Sequence, residues 1–231
     1  MKLSKRLQQV EQIVETGYDH IWDCCCDHGQ LGAALLKTQI AKQAITPAQI
    51  HFVDIVPELM DTVASNVKRF LPNTESLWQT HCLDVALLPL DLYQGKHLII
   101  IAGVGGDLMM HFIDAIHQQY PTLELDFILC PVHHQFALRQ QLIEFNFGLK
   151  QEVLIKENNR FYEILYVTSS QHKGANISPI GDQIWHASSV AQAEIIQQYL
   201  TKTLSHYQRI AQGTPEQVEP IIQAYKTVQI N

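Results

Sequence analysis

The stretch His97-Leu98-Ile99-Ile100-Ile101-Ala102 is the most apolar run in the chain. It lacks the alternation of a strand with one face in water, and its β-branched residues favour an extended backbone. Such a run reads as a central strand of a parallel sheet, covered by helices on both faces. Gly103-Val104-Gly105-Gly106 ends it, and Leu108, Met109, Phe112, Ile113 and Ile116 then begin a helix.

Other strand and helix signals surround this one. Ser4 is placed to cap a helix carrying Leu7, Val10, Ile13 and Val14, which Gly17 stops. A short strand is expected around His20–Trp22 and a helix over residues 30–42. Ile50–Val53 forms a strand ending at Asp54, Pro57 opens a helix with Leu59, Val63 and Val67 on one face, and His81–Leu83 is a strand ending at Asp84. Asp126–Cys130 is a fifth strand, closed by Pro131, with a helix over residues 133–145 after it. Phe147–Leu154 and Phe161–Thr168 flank the turn Lys156-Glu157-Asn158-Asn159-Arg160. The expected fold is α/β: a Rossmann-like, doubly wound, mostly parallel sheet with a terminal antiparallel strand pair. It occupies residues 1–170. Residues 171–231 hold the remainder of a polar linker, Ser169–Pro179, and a C-terminal helical hairpin. In the hairpin, Ala193, Ile196, Leu200, Leu204, Tyr207 and Ala211 recur at helical spacing before Gly213, and Val218, Ile221, Ile222, Tyr225 and Val228 recur after Pro215. It either covers an exposed face or helps to hold a large substrate.

Composition narrows the class. Hydrophobic residues make up 46% of the 231, enough for a substantial core. No apolar run approaches the roughly 18 residues of a membrane span, and Met1-Lys2-Leu3-Ser4-Lys5-Arg6 leads into an amphipathic pattern, so a cytoplasmic protein is expected. Cys24, Cys25 and Cys26 are adjacent, where a disulfide would be strained, and no second Cys or His pair follows at zinc-site spacing, so no metal is expected. The net charge of −7 resides in residues 1–170 and counts against a nucleic-acid partner. Any basic face must be local, drawn from Lys5, Arg6, Lys68, Arg69, Arg139 and Arg160.

The chemistry concentrates in Ile21–Gly32, a strand, a loop of small and polar residues and a first helical turn. Backbone N–H groups converge at such a junction and mark a cofactor site. The first three strands each end in aspartate. Asp54 is placed to accept from two ribose hydroxyls, Asp84 to meet an adenine amino group, and Asp23 to anchor the loop or a methionine amino group. The competing reading is that these are ordinary turn aspartates. A dinucleotide is disfavoured, because Cys25 and Asp27 stand where its fingerprint needs glycine and Asp27 would face the pyrophosphate. S-adenosyl-L-methionine (SAM) has a cationic sulfonium and no phosphate, so it suits an acidic loop. Gly103 and Gly105 either let a cofactor or base approach the backbone or serve close strand–helix packing.

Three segments carry a resemblance: Leu3-Ser4-Lys5-Arg6-Leu7, Asp23-Cys24-Cys25-Cys26-Asp27-His28-Gly29-Gln30-Leu31 and Ile101-Ala102-Gly103-Val104-Gly105-Gly106. With Glu157-Asn158-Asn159-Arg160-Phe161-Tyr162-Glu163, they resemble the bacterial tRNA (adenine-22-N1) methyltransferases over residues 3–170. That family also has a counterpart of the helical hairpin. The resemblance implies SAM as cofactor, tRNA as substrate and transfer of a methyl group to adenine N1, with no base needed to deprotonate a lone-pair nucleophile. It implies Asp27 as the catalytic residue, holding the adenine amino group and favouring positive charge on the base; a helix N-cap is its alternative. Asp23, Cys25, His28, Gly29, Asp54, Asp84, Gly103 and Gly105 are then the cofactor-binding set. His28 orients the loop or contacts the cofactor. The chain departs from the family at Cys25, where glycine is usual, at Asp107, and at Cys130-Pro131-Val132-His133-His134, where the family has a Gln-Pro-Asn type motif. Other acceptors (another RNA, a protein or a small molecule) stay open, as does a non-catalytic SAM-binding role. The oligomeric state is not legible.

Overall fold

The computed structural model describes residues 3–43 and 45–231; Met1 and Lys2 of the opening segment lie outside them. The chain runs α1 (Lys5–Ile13), β1 (His20–Cys24), α2 (Gln30–Ala41), β2 (Gln49–Asp54), α3 (Pro57–Phe70), β3 (Trp78–Cys82), β4 (His97–Ala102), α4 (Gly106–Gln119), β5 (Leu125–Cys130), α5 (Gln135–Glu144), β6 (Gly148–Glu157), β7 (Arg160–Thr168), α6 (Val190–Ile210) and α7 (Pro215–Lys226). The strands form one seven-stranded sheet in the order β3-β2-β1-β4-β5-β7-β6. β1 to β5 are mutually parallel, and β7 pairs antiparallel with both β5 and β6. The expected Rossmann-like sheet with a terminal antiparallel pair is present.

β4 takes the central place its composition demands. Ile99 and Ile101 face one core with Met109, Phe112, Ile113 and Ile116 of α4 and Leu138 and Leu142 of α5. Leu98 and Ile100 face the other, with Val10 of α1, Leu35 and Leu36 of α2 and Val63 and Val67 of α3. No helix joins β3 to β4; the connection makes short 3-10 turns at Val85–Leu87 and Leu90–Leu92. Over β1 to β3, Tyr93 packs edge-on against Trp22 and His51, and Trp22 stacks on His51 at 3.9 Å between ring centroids. His51 lies in a hydrogen-bonded row, its Nε2 3.0 Å from His20 Nδ1 and its Nδ1 2.9 Å from His81 Nε2.

Several boundaries differ from expectation. β3 is Trp78–Cys82, not His81–Leu83: it is an edge strand with only Trp78 buried, so polar Gln79 and Thr80 hide it from a pattern of apolar residues. β1 continues through Asp23 and Cys24, both buried. β6 and β7 extend to a two-residue turn, Asn158-Asn159, with φ values of 48° and 60°; asparagine tolerates this left-handed backbone, which matches the twist of the strands. The expected linker is bonded down: Leu149 and Ala175 exchange backbone hydrogen bonds of 2.7 and 2.8 Å.

α6 and α7 are joined by a short turn and lie on a third apolar cluster of Phe136, Leu154, Ile184, Trp185, Ile196, Tyr199 and Tyr225. Arg139, counted among the surface cations, is wholly buried beneath them between Glu152 and Glu163. Among the described residues no helix is long and apolar enough to cross a membrane.

Candidate active site at the carboxyl ends of the strands

The loop after β1 is wound by residues in the left-handed region: Cys25 at φ 55°, Asp27 at 50° and Gly29 at 65°. It closes through Cys26 N–H to Val53 O at 3.1 Å and Gly29 N–H to Cys26 O at 2.8 Å. Cys25 therefore stands in a conformation that glycine adopts freely and a Cβ strains. The N-cap of α2 is Gly29, with no side-chain cap. Asp27 does not cap the helix; its carboxylate is exposed, with Oδ1 3.5 Å from His28 Nε2.

The three strand-end aspartates differ in what they hold. Asp23 is 4% exposed, and its Oδ2 accepts from Gly32 N–H at 2.8 Å, tying the first turn of α2 to β1. Burial is the main reason its carboxyl is pushed up to about 7, with Asp54 adding to the rise and the Gly32 bond opposing it. Asp54 ends β2, half-buried; Oδ2 accepts from Asp27 N–H and Oδ1 from Val56 N–H, each at 3.2 Å. Each oxygen keeps capacity for another donor. Asp84 lies two residues beyond β3, exposed, with Oδ1 accepting from Ala86 N–H at 2.9 Å. Cys25 lies among all three: burial first, then Asp54, Asp23 and Asp84, push its thiol up to about 12. The thiol is uncharged at neutral pH. Among the described residues no three His, Cys, Asp or Glu side chains are grouped to hold a metal ion.

The loops after β4 and β5 are zipped together. Gly103 N–H donates to Cys130 O at 3.2 Å, Val132 N–H to Val104 O at 3.0 Å and Gly106 N–H to His133 O at 3.1 Å. The His133 ring lies on Gly105, where a Cβ would sit 2.5 Å from its Cε1. The His134 ring, at the N-cap of α5 with φ 61°, packs edge-on against His133 at 4.4 Å between centroids, with Nδ1 2.7 Å from Asp107 Oδ1.

From sequence Arg6 was one of the cations available to a basic face, and Tyr162 only part of a motif shared with the family. Arg6 rises from the first turn of α1, its guanidinium 5.2 Å from the Tyr162 ring centroid and beside Gly103 and Cys130. Lys5 N–H donates to Glu157 Oε1 at 2.6 Å, pinning the start of α1 to β6. Sequence signals marked the helix capped by Ser4 and the turn Lys156–Arg160 separately, but local periodicity says nothing of a helix crossing a distant hairpin.

Residues 3–165 match the methyltransferase domain family. The chain belongs to that family. It is 27% identical over 181 residues to the tRNA (adenine(22)-N(1))-methyltransferase of Bacillus subtilis (strain 168), covering 76% of this chain and 68% of the relative. Its fold is similar to M. capricolum TrmK solved with S-adenosyl-homocysteine, with 17% identity, a TM-score of 0.73 and coverage of 98% of this chain and 97% of the other. It is also similar to Streptococcus pneumoniae Sp1610 solved with SAM, with 20% identity, a TM-score of 0.69 and coverage of 97% and 98%. Coverage this complete extends the likeness of fold past the methyltransferase domain to the C-terminal helices.

Proposed function

We propose that the chain is a SAM-dependent methyltransferase that methylates N1 of an adenine in tRNA. The observation that carries this reading is the likeness to the tRNA (adenine(22)-N(1))-methyltransferase over 76% of the chain. The donor set fits SAM. Asp54 and Asp84 supply acceptors for ribose hydroxyls and an adenine amino group, and the acidic loop of Cys25, Asp27, His28 and Gly29 suits a cofactor that has a sulfonium and no phosphate. Asp23 is assigned the anchoring of that loop through Gly32.

When bound, SAM supplies a methyl carbon to a nucleophilic lone pair, the C–S bond breaking as the new bond forms and sulfur keeping the electron pair. Adenine N1 presents such a lone pair, so no residue has to remove a proton before attack. The enzyme's work is alignment and stabilisation of the positive charge that grows on the base. Asp27, exposed and free of capping duty, is assigned to accept from the exocyclic amino group and favour that charge. Gly103 and Gly105 are assigned to the wall of the crevice at the end of β4, where their missing side chains make room for the Arg6 guanidinium and the His133 ring.

Residues 1–170 are assigned as the methyl-transfer unit and residues 171–231 as the linker and helical hairpin that helps to hold RNA. A local patch supports RNA contact despite the charge of −7. Lys156 and Lys202 lie 5.5 and 5.4 Å from the Phe161 ring centroid, joining cations of the β6–β7 turn and α6 around one aromatic ring. The cytoplasm, where tRNA is found, is the proposed compartment. The net acidity favours a second reading, an acceptor other than nucleic acid. Incubation with SAM and bulk unmodified tRNA, followed by nucleoside analysis, should yield 1-methyladenosine. SAM binding without methylated tRNA would select the second reading, and no SAM binding at millimolar concentration would overturn both.

A further inference from the structure

We infer that His20, His51 and His81 form an acid-sensitive tie beneath the cofactor crevice. Neutral, the row holds β1, β2 and β3 together below Asp23, Asp54 and Asp84; proton uptake loosens it and weakens SAM binding. The link to SAM rests on the cofactor reading above. Histidines and aspartates form one repeated pattern, His-x-x-Asp at residues 20–23, 51–54 and 81–84. Alternate side chains of an extended chain share a face, so a spacing of three separates each histidine from the aspartate at its strand end.

The hydrogen bonds fix every proton in the row. His20 Nε2 is 3.1 Å from Gln94 O and must donate, so His20 Nδ1 accepts from His51 Nε2 at 3.0 Å. His51 Nδ1 then accepts from His81 Nε2 at 2.9 Å. A proton added at His81 Nδ1 can pass inward. The Nε2 proton of His81 moves to His51 Nδ1 and that of His51 to His20 Nδ1, with each hydrogen bond reversed and none lost. The charge stays under cover wherever it rests. His51 is fully buried, stacked on Trp22 and met edge-on by Tyr93. The titratable groups facing the row are His97 of β4, stacked on His20 at 5.1 Å, Tyr93 of the β3–β4 connection, and Asp19 before β1, whose charge acts on His97. Asp84 and Asp91 of the connection accept instead from Ala86 N–H and the Tyr120 hydroxyl. Among the described residues no carboxylate forms an ion pair with His20, His51 or His81. A buried imidazolium without a counter-charge is unfavourable; burial, then the neighbouring imidazoles, hold His51 down at about 2, and burial lowers His81.

Water reaches the rings where the cover is thin. Residues 92–96 are exposed apart from half-buried Tyr93. They are held by Gln94 O on His20, by Tyr93 O on His97 and by the Tyr93 hydroxyl on Gln79 Oε1. β3 is an edge strand with one buried residue. An open form, with this strap lifted or β3 parted, hydrates the rings and returns them toward 6.5. The closed form is therefore favoured in full above pH 6.5 and loses ground as pH falls below it. Asp84 follows β3 directly, so opening displaces an acceptor of the cofactor.

The test is calorimetric titration of the full chain with SAM at about pH 7.5 and about pH 5.5. His51→Gln keeps a donor for His20 and an acceptor for His81 but takes up no proton; His51→Phe keeps a ring and loses both bonds. Acid should weaken SAM about 5- to 10-fold more in the wild type than in His51→Gln, within the range of coupled sites. His51→Phe should bind SAM about 5- to 10-fold less tightly already at about pH 7.5, and His51→Gln should retain most of the affinity there. Asp23, raised to about 7, titrates in the same range; it and the cofactor's ammonium are common to all variants, so comparison at one pH isolates the row. If His51→Phe does not fold, the wild type and His51→Gln decide. Equal acid weakening in those two overturns the tie and leaves the cofactor reading intact. Loss of far-ultraviolet circular dichroism in the wild type at about pH 5.5 overturns it in favour of global unfolding. No SAM binding at either pH overturns the cofactor reading, and amide exchange over residues 78–96 then decides the tie. Exchange that acid speeds more in the wild type than in His51→Gln supports it, and equal exchange overturns it.

Discussion

Arg139 of α5 and Glu163 of β7 meet with both side chains wholly out of water, Nε and Nη2 lying 2.8 and 2.7 Å from Glu163 Oε2. Arg139 Nη2 also lies 2.7 Å from Glu152 Oε2. One guanidinium faces two carboxylates, and the surplus negative charge is met by other donors. The Tyr199 hydroxyl of α6 donates to Glu163 Oε1, and the N–H groups of Asp182 and Gln183 each donate to Glu152 Oε1 at 2.6 Å. This buried group fastens α6 and the segment before it to the sheet.

Arg139→Met removes the only cation from that group and leaves two buried carboxylates. The expected loss is about 3–5 kcal/mol, the range for a broken buried pair. Tyr199→Phe, which removes one donor to Glu163, should cost about 1–3 kcal/mol. Urea unfolding midpoints check both, and a loss under about 1 kcal/mol in Arg139→Met would mean the group is not holding the helices down.

Asp27→Ala should lower turnover by about 10²- to 10³-fold, the effect of removing one preorganised electrostatic group. SAM affinity should change far less, because Asp54 and Asp84 remain. Single-turnover methyl transfer alongside SAM titration separates the two. Near-normal turnover would take Asp27 out of the reaction.

Cys25 is strained by its φ of 55°. Cys25→Gly removes that strain and Cys25→Ala keeps it while also losing the sulfur. The glycine variant should therefore be the more stable of the two by about 1 kcal/mol, the size of a left-handed penalty. Thermal unfolding of both variants decides it, and an alanine variant as stable as the glycine one would show the loop to be relaxed.

Gly105→Ala would drive a methyl group to 2.5 Å from His133 Cε1. Methyl transfer should fall as the zipped loops shift. Gly105→Ala with His133→Ala should recover much of it, because the second change vacates the colliding ring. Equal loss in the single and double variants would point to the backbone of Gly105 itself.

Acid should destabilise the fold through the histidine row. Burial first, then His81, His20 and His97, hold His51 down at about 2, against 6.5 in the unfolded chain. Below pH 6.5 the unfolded chain takes up a proton that folded His51 refuses. Its contribution is present in full above pH 6.5 and falls by about 1.4 kcal/mol per unit as pH drops toward 2. His81 and His97 are lowered in the same direction. Asp23 opposes them: raised from 3.8 to about 7, it stabilises below pH 3.8 and loses that contribution as pH rises through 7. Three histidines outweigh one aspartate, so the urea midpoint should fall between about pH 7.5 and pH 5. His51→Gln should flatten that dependence; an unchanged slope would move the effect to other groups.

The strands that sequence reads well are the ones buried at nearly every position. β4 is legible because Leu98 and Ile100 fill one core while Ile99 and Ile101 fill the other. β3 is misread because an edge strand with one buried residue leaves no apolar pattern. Of the candidate site, Asp54 and Asp84 are legible as acidic residues after strands, and the left-handed backbone at Cys25 is legible as a glycine position filled by cysteine. The separate duties of Asp23, Asp27 and Gly29 are not legible, since a hydrogen bond from Gly32 to Asp23 depends on how the loop coils.

The amino-acid sequence by itself determined the βα alternation, the doubly wound sheet, the turn at Asn158-Asn159 and the acidic loop, because local backbone preference and the period of burial are written residue by residue. Only the tertiary structure decided which cations are spent and which are presented. Arg6 and Arg139 were equal members of one charge count, yet one is sealed against Glu152 and Glu163 and the other stands over Gly103 and Tyr162. The physical reason is that a charge is neutralised by neighbours brought in from distant chain: Glu163 lies 24 residues beyond Arg139. No local pattern specifies where those segments cross.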